Sequence, residues 1–253
     1  MQGPNFSLHG KTAVITGASR GLGSSVADAL AFAGASVALI GRDEPSLQSV
    51  HATVSKHGGP VMQVTADLGD IARIPAVFDQ VSQKFARLDI LINNAGIEEF
   101  CASRDVTEPL WDRIVDTNLK AAFFCAQAAA RRMTQGGSIL NMCSLTSEVG
   151  VAGAAPYGAS KSGLAGMTRA LAAEWAADGI RVNGIGPGYF RTALTEVFYR
   201  DENWQRSTLQ KIPLRRFGRL DDIAGAAVFL CSDAAAYITG QILYIDGGIL
   251  AAL

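Results

Sequence analysis

Three side chains in the middle of the chain could together move a proton to or from an oxygen atom. Tyr157 and Lys161 are four residues apart at the start of a helical pattern, so their side chains share one helix face. A free phenol has a pKa of about 10, and a neighbouring ammonium favours its ionised form. Ser144 follows a short apolar run and could hydrogen-bond the same oxygen. Because reduction of a carbonyl needs a proton at oxygen and a hydride at carbon, these residues predict the proton-transfer half of that reaction.

The same residue types also occur without any catalytic role. Tyr-x-x-x-Lys arises by chance in many helices, and Ser144 alone could be an ordinary hydroxyl at the end of a strand. Asn118, further upstream, could simply bond to helix backbone. A serine hydrolase does not fit, because Ser144 lacks the flanking glycines of a nucleophile elbow and no histidine follows it. The joint occurrence of these residues in chain order favours the catalytic interpretation.

Residues 16–23, Thr-Gly-Ala-Ser-Arg-Gly-Leu-Gly, follow the first predicted strand and open a helical pattern. Gly17 permits a tight turn, Gly21 lets the backbone approach a pyrophosphate, and Gly23 allows close helix–strand packing. The helix N-terminus then offers free N–H groups and a positive dipole to phosphates. Three glycines alone could form only a turn, but their position between strand and helix predicts a dinucleotide site. The residues expected to bind the cofactor here are Gly17, Ser19, Arg20, Gly21, Leu22 and Gly23.

The end of the second predicted strand bears on the choice between NADP and NAD. A carboxylate at that point would bond the adenosine ribose and repel a 2′-phosphate. This chain has Gly41 there, followed at once by Arg42, and Arg20 offers a second guanidinium for a phosphate dianion. Asp43 argues the other way because it could face the ribose, and Arg42 could be a solvated loop cation. We favour NADP over NAD, and the alternative stays open.

Strand and helix patterns alternate from one end of the chain to the other. The strands carry apolar residues on both faces, which is typical of a parallel sheet covered by helices on both sides. We therefore predict an α/β fold, a single-domain, doubly wound Rossmann arrangement of seven parallel strands in which ligands bind beyond the strands' carboxyl ends. The predicted strands are 12–16, 36–40, 61–65, 89–92, 138–142, 181–185 and 242–245, and the predicted helices are 22–33, 46–57, 71–85, 109–133, 157–177 and 221–231.

The glycine spacing is Thr-Gly-x-x-x-Gly-x-Gly, and with Tyr-x-x-x-Lys it resembles the short-chain dehydrogenase/reductase family from Lys11 to Gly248. The resemblance implies Tyr157 as acid and base, Lys161 as its electrostatic partner and a ribose ligand, and Asn118 as holder of a water. It implies Thr192 and the backbone near Phe190 as contacts for the nicotinamide carboxamide. The further cofactor-binding residues that it implies are Asp67, Leu68, Asn93, Ala95, Gly96, Pro187 and Gly188.

The sequence says least about the substrate. Residues 147–150, Pro-Gly-Tyr-Phe at 187–190 and the apolar tail resemble gluconate 5-dehydrogenases and related sugar-acid enzymes. Those enzymes carry basic residues where this chain has Glu98 and Glu99, and two carboxylates beside the pocket would repel a sugar acid. We therefore hypothesise a neutral polyol, ketose or other ketone, unless both glutamates only face solvent. Glu98, Glu148 and Tyr189 are the candidate substrate contacts.

Two other functions remain open at this point. A 3-oxoacyl-carrier-protein reductase would share every catalytic motif, and Arg215, Arg216 and Arg219 could dock an acidic carrier protein or pair within a subunit interface. A non-catalytic regulator could keep the pocket as a redox sensor, although it would not need the intact Ser144, Tyr157 and Lys161.

Composition limits the partners and the cell compartment that we expect for this protein. A net charge of −1 without a run of basic residues disfavours nucleic acid and membrane surfaces as partners. Four widely spaced cysteines and three histidines predict no metal site and fit a reducing cytoplasm. Residues 1–253 are expected to form one domain with a substrate lid at about 189–218, part of which could instead be a static helical insertion. Alanine-rich helix faces and the apolar segment 242–253 favour a homotetramer, with core packing as the competing explanation.

Overall fold

The computed structural model describes residues 3–192, 195–196 and 198–252 of the chain. Seven parallel strands form one sheet in the order β3-β2-β1-β4-β5-β6-β7. The order reverses between β1 and β4, so the loops after these two strands diverge and leave a crevice at the sheet's carboxyl edge. The strands are β1 (Thr12–Thr16), β2 (Ser36–Gly41), β3 (Val61–Thr65), β4 (Ile90–Asn93), β5 (Gly137–Met142), β6 (Ile180–Pro187) and β7 (Ile242–Ile245).

Helices cover both faces of the sheet. On one face lie α1 (Gly21–Phe32), α2 (Glu44–Val54) and α8 (Leu220–Cys231). On the other lie α3 (Ile74–Lys84), α5 (Ala121–Ala130) and α6 (Ala155–Trp175). The described residues also form α4 (Glu108–Val115), which leads into α5, and α7 (Glu202–Lys211), whose Leu209 packs with Leu145, Ile212 and Ile249.

Alternating side chains of each strand divide the core into two layers. Ala13 and Ile15 of β1 pack with α1 and α8, whereas Val14 packs with the layer that contains α3 and α5. Because both layers are apolar, the central strands are buried on both faces, whereas the edge strands β3 and β7 are partly exposed. The predicted doubly wound, seven-stranded parallel fold is confirmed.

The strands begin and end within two residues of their predicted bounds, and the helix ends lie within three residues of theirs. The glycines that follow helical segments, Gly34, Gly58, Gly136 and Gly179, all have positive φ, as left-handed helix ends require. The predicted helix 109–133 differs, because a π-helical turn at Asp116–Lys120 separates α4 from α5. The sequence did not decide whether residues 193–218 form a mobile lid or a static helical insertion. Of the described residues in this segment, Glu202–Lys211 form the helix α7.

None of the helices in the described ranges combines the length and the apolar character needed to cross a membrane.

Candidate active site

The glycine-rich loop after β1 forms a cradle that side chains would fill. A Cβ built on Gly17 would lie 2.8 Å from Ala95 Cα, and Gly17 and Gly21 both have positive φ. Arg20 stands at the N-cap of α1 without a side-chain capping bond, so its side chain leaves the helix's first N–H groups free. Free N–H groups at a helix N-terminus, reached by backbone without side chains, fit the pyrophosphate of a dinucleotide.

The loop after β4 is tied to this cradle. Asn94 Nδ2 donates hydrogen bonds to the carbonyl oxygens of Thr16 and Gly17, both at 3.0 Å. Thr16 Oγ1 accepts from the backbone N–H groups of Asn94 and Ala95, again at 3.0 Å. Asn93 points the other way, into the core, where its amide donates to Asn141 Oδ1 at 2.9 Å. The loops after β1 and β4, where the strand order reverses, are therefore joined by hydrogen bonds.

At the adenosine end, Arg42 and Asp67 project from the ends of β2 and β3. Arg42 is exposed, and its guanidinium lies 3.9 Å from Asp67 Oδ2. Asp43 is the N-cap of α2, where its carboxylate accepts a hydrogen bond from Ser46 N at 3.1 Å. That bond, with Arg20 nearby, lowers the pKa of Asp43. The Asp43 carboxylate, which could have bonded the ribose, instead caps the N-terminus of α2.

The predicted reacting groups meet at the same edge of the sheet. Tyr157 and Lys161 lie in the first turns of α6, and Ser144 lies two residues beyond the end of β5. Lys161 Nζ is 5.6 Å from the centre of the Tyr157 ring and donates to Met142 O at 2.6 Å. Ser144 lies close enough to the Tyr157 hydroxyl to lower its pKa, and its Oγ accepts a hydrogen bond from Thr146 N at 3.2 Å. The structure therefore brings all three side chains together.

The charge state of this group differs from the sequence-based expectation. Burial raises the pKa of Tyr157, the Glu98 carboxylate raises it further, and the neighbouring Ser144 hydroxyl lowers it. Burial also lowers the pKa of Lys161, whose ammonium is occupied by the Met142 carbonyl. The phenol is therefore held protonated in this state, which suits the donation of a proton to a substrate oxygen.

Asn118 lies in the π-helical turn and is buried. Its Oδ1 accepts from Ile97 N at 2.8 Å, and its Nδ2 donates to Ile97 O at 2.9 Å and to Ser160 Oγ at 3.1 Å. Ser160 Oγ in turn donates to Tyr157 O at 2.7 Å. The Asn118 side chain therefore ties the loop after β4 to the catalytic helix, and that a water is held here stays a prediction. π-turns are common at functional sites.

The two adjacent glutamates have different surroundings. Glu99 is exposed and forms an ion pair with Arg113 of α4. Glu98 is half-buried beside Lys161 and Tyr157. Burial raises its pKa to about 7, and the nearby Lys161 opposes that rise. Only one of the two carboxylates therefore belongs to the site.

The segment after β6 leads back to the glycine-rich loop. A Cβ built on Gly21 would lie 3.6 Å from Cβ of Thr192, so Thr192 lies against the predicted phosphate site. Phe190 is buried, and its carbonyl accepts from Thr195 Oγ1 at 2.6 Å. Gly188 leaves no room for a side chain, because a Cβ there would lie 2.7 Å from Asp246 Cα. Pro187 ends β6 at the same edge. The segment therefore borders the glycine-rich loop, and its contact with the nicotinamide carboxamide stays a prediction.

The remaining predicted substrate contacts have protein partners. Glu148 accepts a hydrogen bond from Tyr244 at 2.8 Å and lies 3.9 Å from Arg169, so its carboxylate is occupied away from Tyr157. Tyr189 packs edge-on against Trp204 of α7, with ring centres 5.7 Å apart. Tyr189 therefore stays a candidate wall of the pocket, and Glu148 is better explained as a partner of Tyr244.

Sequence reasoning missed several residues that build the site. Asn94 was not among the predicted site residues, although its side chain joins the two loops. Ser160 was not predicted, and Ser147 entered only through the resemblance of residues 147–150; Ser147 Oγ donates to Lys161 O at 3.0 Å. The available signal was position, since each lies beside a predicted site residue, but nothing local distinguishes a bonded serine from a solvated one.

No ligand set of three or more His, Cys, Asp or Glu side chains occurs in the part of the chain that the structure describes.

A glycine cradle at the switch point of a parallel sheet, facing a Tyr–Lys–Ser group, defines a dinucleotide-dependent oxidoreductase. The profile of the family described as enoyl-(acyl carrier protein) reductase matches residues 17–250. Gluconate 5-dehydrogenase of Gluconobacter oxydans (strain 621H) is 39% identical over 253 residues, covering 98% of each chain. The chain belongs to the short-chain dehydrogenase/reductase family.

Solved structures agree closely with this fold. A provisionally assigned short-chain alcohol dehydrogenase from Sinorhizobium meliloti 1021 is 56% identical, with a TM-score of 0.96 over 99% of this chain and 100% of that chain. A gluconate 5-dehydrogenase from Burkholderia cenocepacia J2315, in complex with NADP and tartrate, is 34% identical, with a TM-score of 0.95 over 99% of each chain. The predicted oxidoreductase class, acting on CH–OH, is confirmed.

Proposed function

We propose that this enzyme uses NADP to oxidise a secondary alcohol of a sugar-derived compound, and reduces the corresponding ketone in reverse. The observation that carries the proposal is the meeting of Ser144, Tyr157 and Lys161 beside the glycine cradle at one sheet edge. The relatives named gluconate 5-dehydrogenase support the sugar-derived substrate class.

The chain's own residues divide the proton transfer between them. Bound NADPH supplies the hydride and NADP accepts it. Ser144 holds the substrate oxygen beside Tyr157, and the Tyr157 hydroxyl gives its proton to that oxygen as the carbonyl is reduced. The Lys161 ammonium stabilises the phenolate that remains. Asn118 holds the loop at Ile97 against the catalytic helix through hydrogen bonds to Ile97 N and Ser160 Oγ. We retain the proposal that a water is held near Asn118.

The surroundings of the adenosine ribose favour NADP over NAD. Arg42 and Arg20 are exposed at the strand end, whereas Asp43 caps α2. A 2′-phosphate would therefore meet two guanidinium groups and a carboxylate that is already bonded. NADP in a related structure supports the same choice. The expected cofactor contacts are those predicted from the sequence, from Gly17 to Thr192.

A carrier-protein substrate is less favoured by the surface. Arg216 pairs with Asp222 at 2.6 Å, and the Arg219 guanidinium lies 3.9 Å from the same carboxylate. Arg215 donates to Gln210 O at 2.5 Å. Since these cations have partners within the chain, they offer little free charge for docking an acidic protein.

The segment 189–218 is proposed as the substrate lid of a single catalytic domain. Residues 193, 194 and 197 of this segment lie outside the described residues. In the described part, Tyr199 and Trp204 pack together at 5.2 Å, and Trp204 stacks on Phe217. This aromatic cluster would let the segment move as a unit over the pocket. Protection of α7 from trypsin when NADPH and substrate bind would support a lid; unchanged cleavage would favour a static insertion.

A homotetramer and a cytoplasmic location are also proposed. Four alanines of α5 and α6 pack in the chain's own core, as the competing explanation has it: Ala126, Ala128, Ala129 and Ala172. The outer face of α6 exposes other small residues, which would allow close approach of a second copy: Ala159, Gly166, Ala170 and Ala173. All four cysteines are free thiols, as a reducing compartment would keep them. Light scattering should give about four times the 26.6 kDa chain mass; a monomeric mass would contradict the assembly.

The test of the function is a substrate and cofactor screen. NADPH and NADH oxidation should be followed with ketoses, keto sugar acids and oxoacyl thioesters, and NADP and NAD reduction with polyols and sugar acids. We expect NADP-dependent turnover of a sugar-derived compound, and a loss of NADP preference in Arg42→Ala. Turnover of oxoacyl thioesters alone, or no turnover of any compound, would overturn the proposal.

A further inference from the structure

The loop that carries Glu98 is fixed by the catalytic elements themselves. Asn118 bonds both the N–H and the carbonyl of Ile97, the residue before Glu98. A Cβ built on Gly96 would lie 3.6 Å from Lys161 Nζ and 3.3 Å from Asn118 Oδ1. The backbone therefore passes directly beside Lys161, and Glu98 follows a residue held by two hydrogen bonds.

Glu98 is the acidic group of the site that has no ion-pair partner. Its neighbour Glu99 is exposed and paired with Arg113. Across the described residues, no Arg or His pairs with Glu98, and the one cation that acts on it is Lys161. That ammonium is itself bonded to the Met142 carbonyl. Because the negative charge of a half-buried carboxylate is poorly screened by water and not neutralised by an ion pair, it acts strongly on charged groups of a nearby substrate.

We propose that Glu98 is a specificity-determining residue that selects substrates by charge, accepting hydroxyl groups of neutral sugar derivatives and disfavouring carboxylates. This inference rests on the proposed function, since it concerns the substrate of that same site. A carboxylate oxygen is an acceptor for a substrate hydroxyl, whereas a substrate carboxylate beside it meets a like charge. The related enzymes named for gluconate would then differ from this one in substrate charge.

The selection should depend on pH in a defined direction. Burial raises the pKa of Glu98 to about 7, so the carboxyl is largely neutral at pH 6 and ionised at pH 8.5. The other charged or titratable groups nearby are Tyr157 and Lys161 on α6, and the Arg113–Glu99 pair between α4 and the loop. Rejection of anions should therefore grow as pH rises through about 7.

The experiment compares Glu98→Gln with Glu99→Gln as a matched control. The kcat/KM for D-gluconate is divided by that for D-glucitol, a neutral polyol of equal length, with NADP at pH 6 and pH 8.5. At pH 8.5 we expect Glu98→Gln to raise this ratio at least tenfold and Glu99→Gln to leave it unchanged. The wild-type ratio should fall from pH 6 to pH 8.5, and that fall should vanish in Glu98→Gln. An unchanged ratio in Glu98→Gln would overturn the inference.

A binding measurement separates this inference from the proposed function. Tartrate is titrated calorimetrically into the NADP complexes of the wild type and both variants at pH 8.5. We expect Glu98→Gln to bind tartrate at least tenfold more tightly than the wild type and Glu99→Gln to match the wild type. Equal affinity in all three would refute charge selection even if turnover is normal. Tighter binding in Glu98→Gln without turnover of any sugar derivative would refute the proposed function alone.

Discussion

Replacement of Gly23 by alanine tests whether the loop after β1 is built for a dinucleotide. A Cβ at this position would overlap Gly17 O and Asn94 Nδ2 and lie 3.0 Å from the Gly17 carbonyl carbon. Relief of that overlap has to displace the loop by about 1 Å, a misplacement that can cost on the order of 10²-fold in function. The two hydrogen bonds of Asn94 to this loop, each 3.0 Å long, would be strained or lost.

The expected effects follow from these contacts. Two hydrogen bonds at about 1 kcal/mol each give a loss of about 2 kcal/mol in the free energy of unfolding. For a chain of this size that is a fall of about 4–8 °C in Tm. NADPH affinity should fall on the order of 10–100-fold, because the displaced backbone is the surface that meets the pyrophosphate.

Gly225→Ala is the matched control. Gly225 lies within α8, and a Cβ built there meets no atom within 4 Å. This variant should gain about 0.5–1 kcal/mol of stability and bind NADPH as the wild type does. Fluorescence titration of NADPH and differential scanning fluorimetry measure both quantities. Wild-type NADPH affinity in Gly23→Ala would refute the reasoning about the cradle.

Two further predictions concern stability. Because burial raises the pKa of Glu98 to about 7, its ionisation costs nothing at pH 4, and the cost appears as pH rises towards 7 and is complete at pH 8. Glu98→Gln should therefore raise the free energy of unfolding of the cofactor-free enzyme at pH 8 by about 1–2 kcal/mol, after allowing for partial exposure, and so raise its Tm, and it should leave both nearly unchanged at pH 4; an equal effect at both pH values would contradict the burial. Among the described residues, the buried Tyr199 hydroxyl has no hydrogen-bond partner, so Tyr199→Phe should not lower the free energy of unfolding. A loss of more than about 1 kcal/mol in denaturant unfolding would mean that the hydroxyl is bonded.

Most of the fold follows from local patterns in the sequence. β1, β3 and β7 begin and end where their β-branched runs do; β1 is buried throughout, and the edge strands β3 and β7 are partly buried. The π-turn at Asp116–Lys120 was missed, since one extra residue per turn hardly changes the apolar spacing of a long helix. The helix α7 was left undecided because its sequence is polar and carries almost no apolar periodicity.

The sequence predicted which residues form the catalytic group, but not which hydrogen-bond and ion-pair partners the other site residues have. Ser144, Tyr157 and Lys161 meet as their order and spacing indicate. Glu99 differs from Glu98 because it forms an ion pair with Arg113. Glu148 accepts a hydrogen bond from Tyr244, which is 96 residues away along the chain. Such contacts are decided by tertiary packing, which no local pattern contains.

The most direct test of the account removes one oxygen atom. Tyr157→Phe should fold, bind NADPH with wild-type affinity by fluorescence titration, and lose at least about 10²-fold in turnover followed by absorbance at 340 nm. Turnover equal to the wild type in that folded, cofactor-binding variant would contradict the claim that the Tyr157 hydroxyl exchanges the proton.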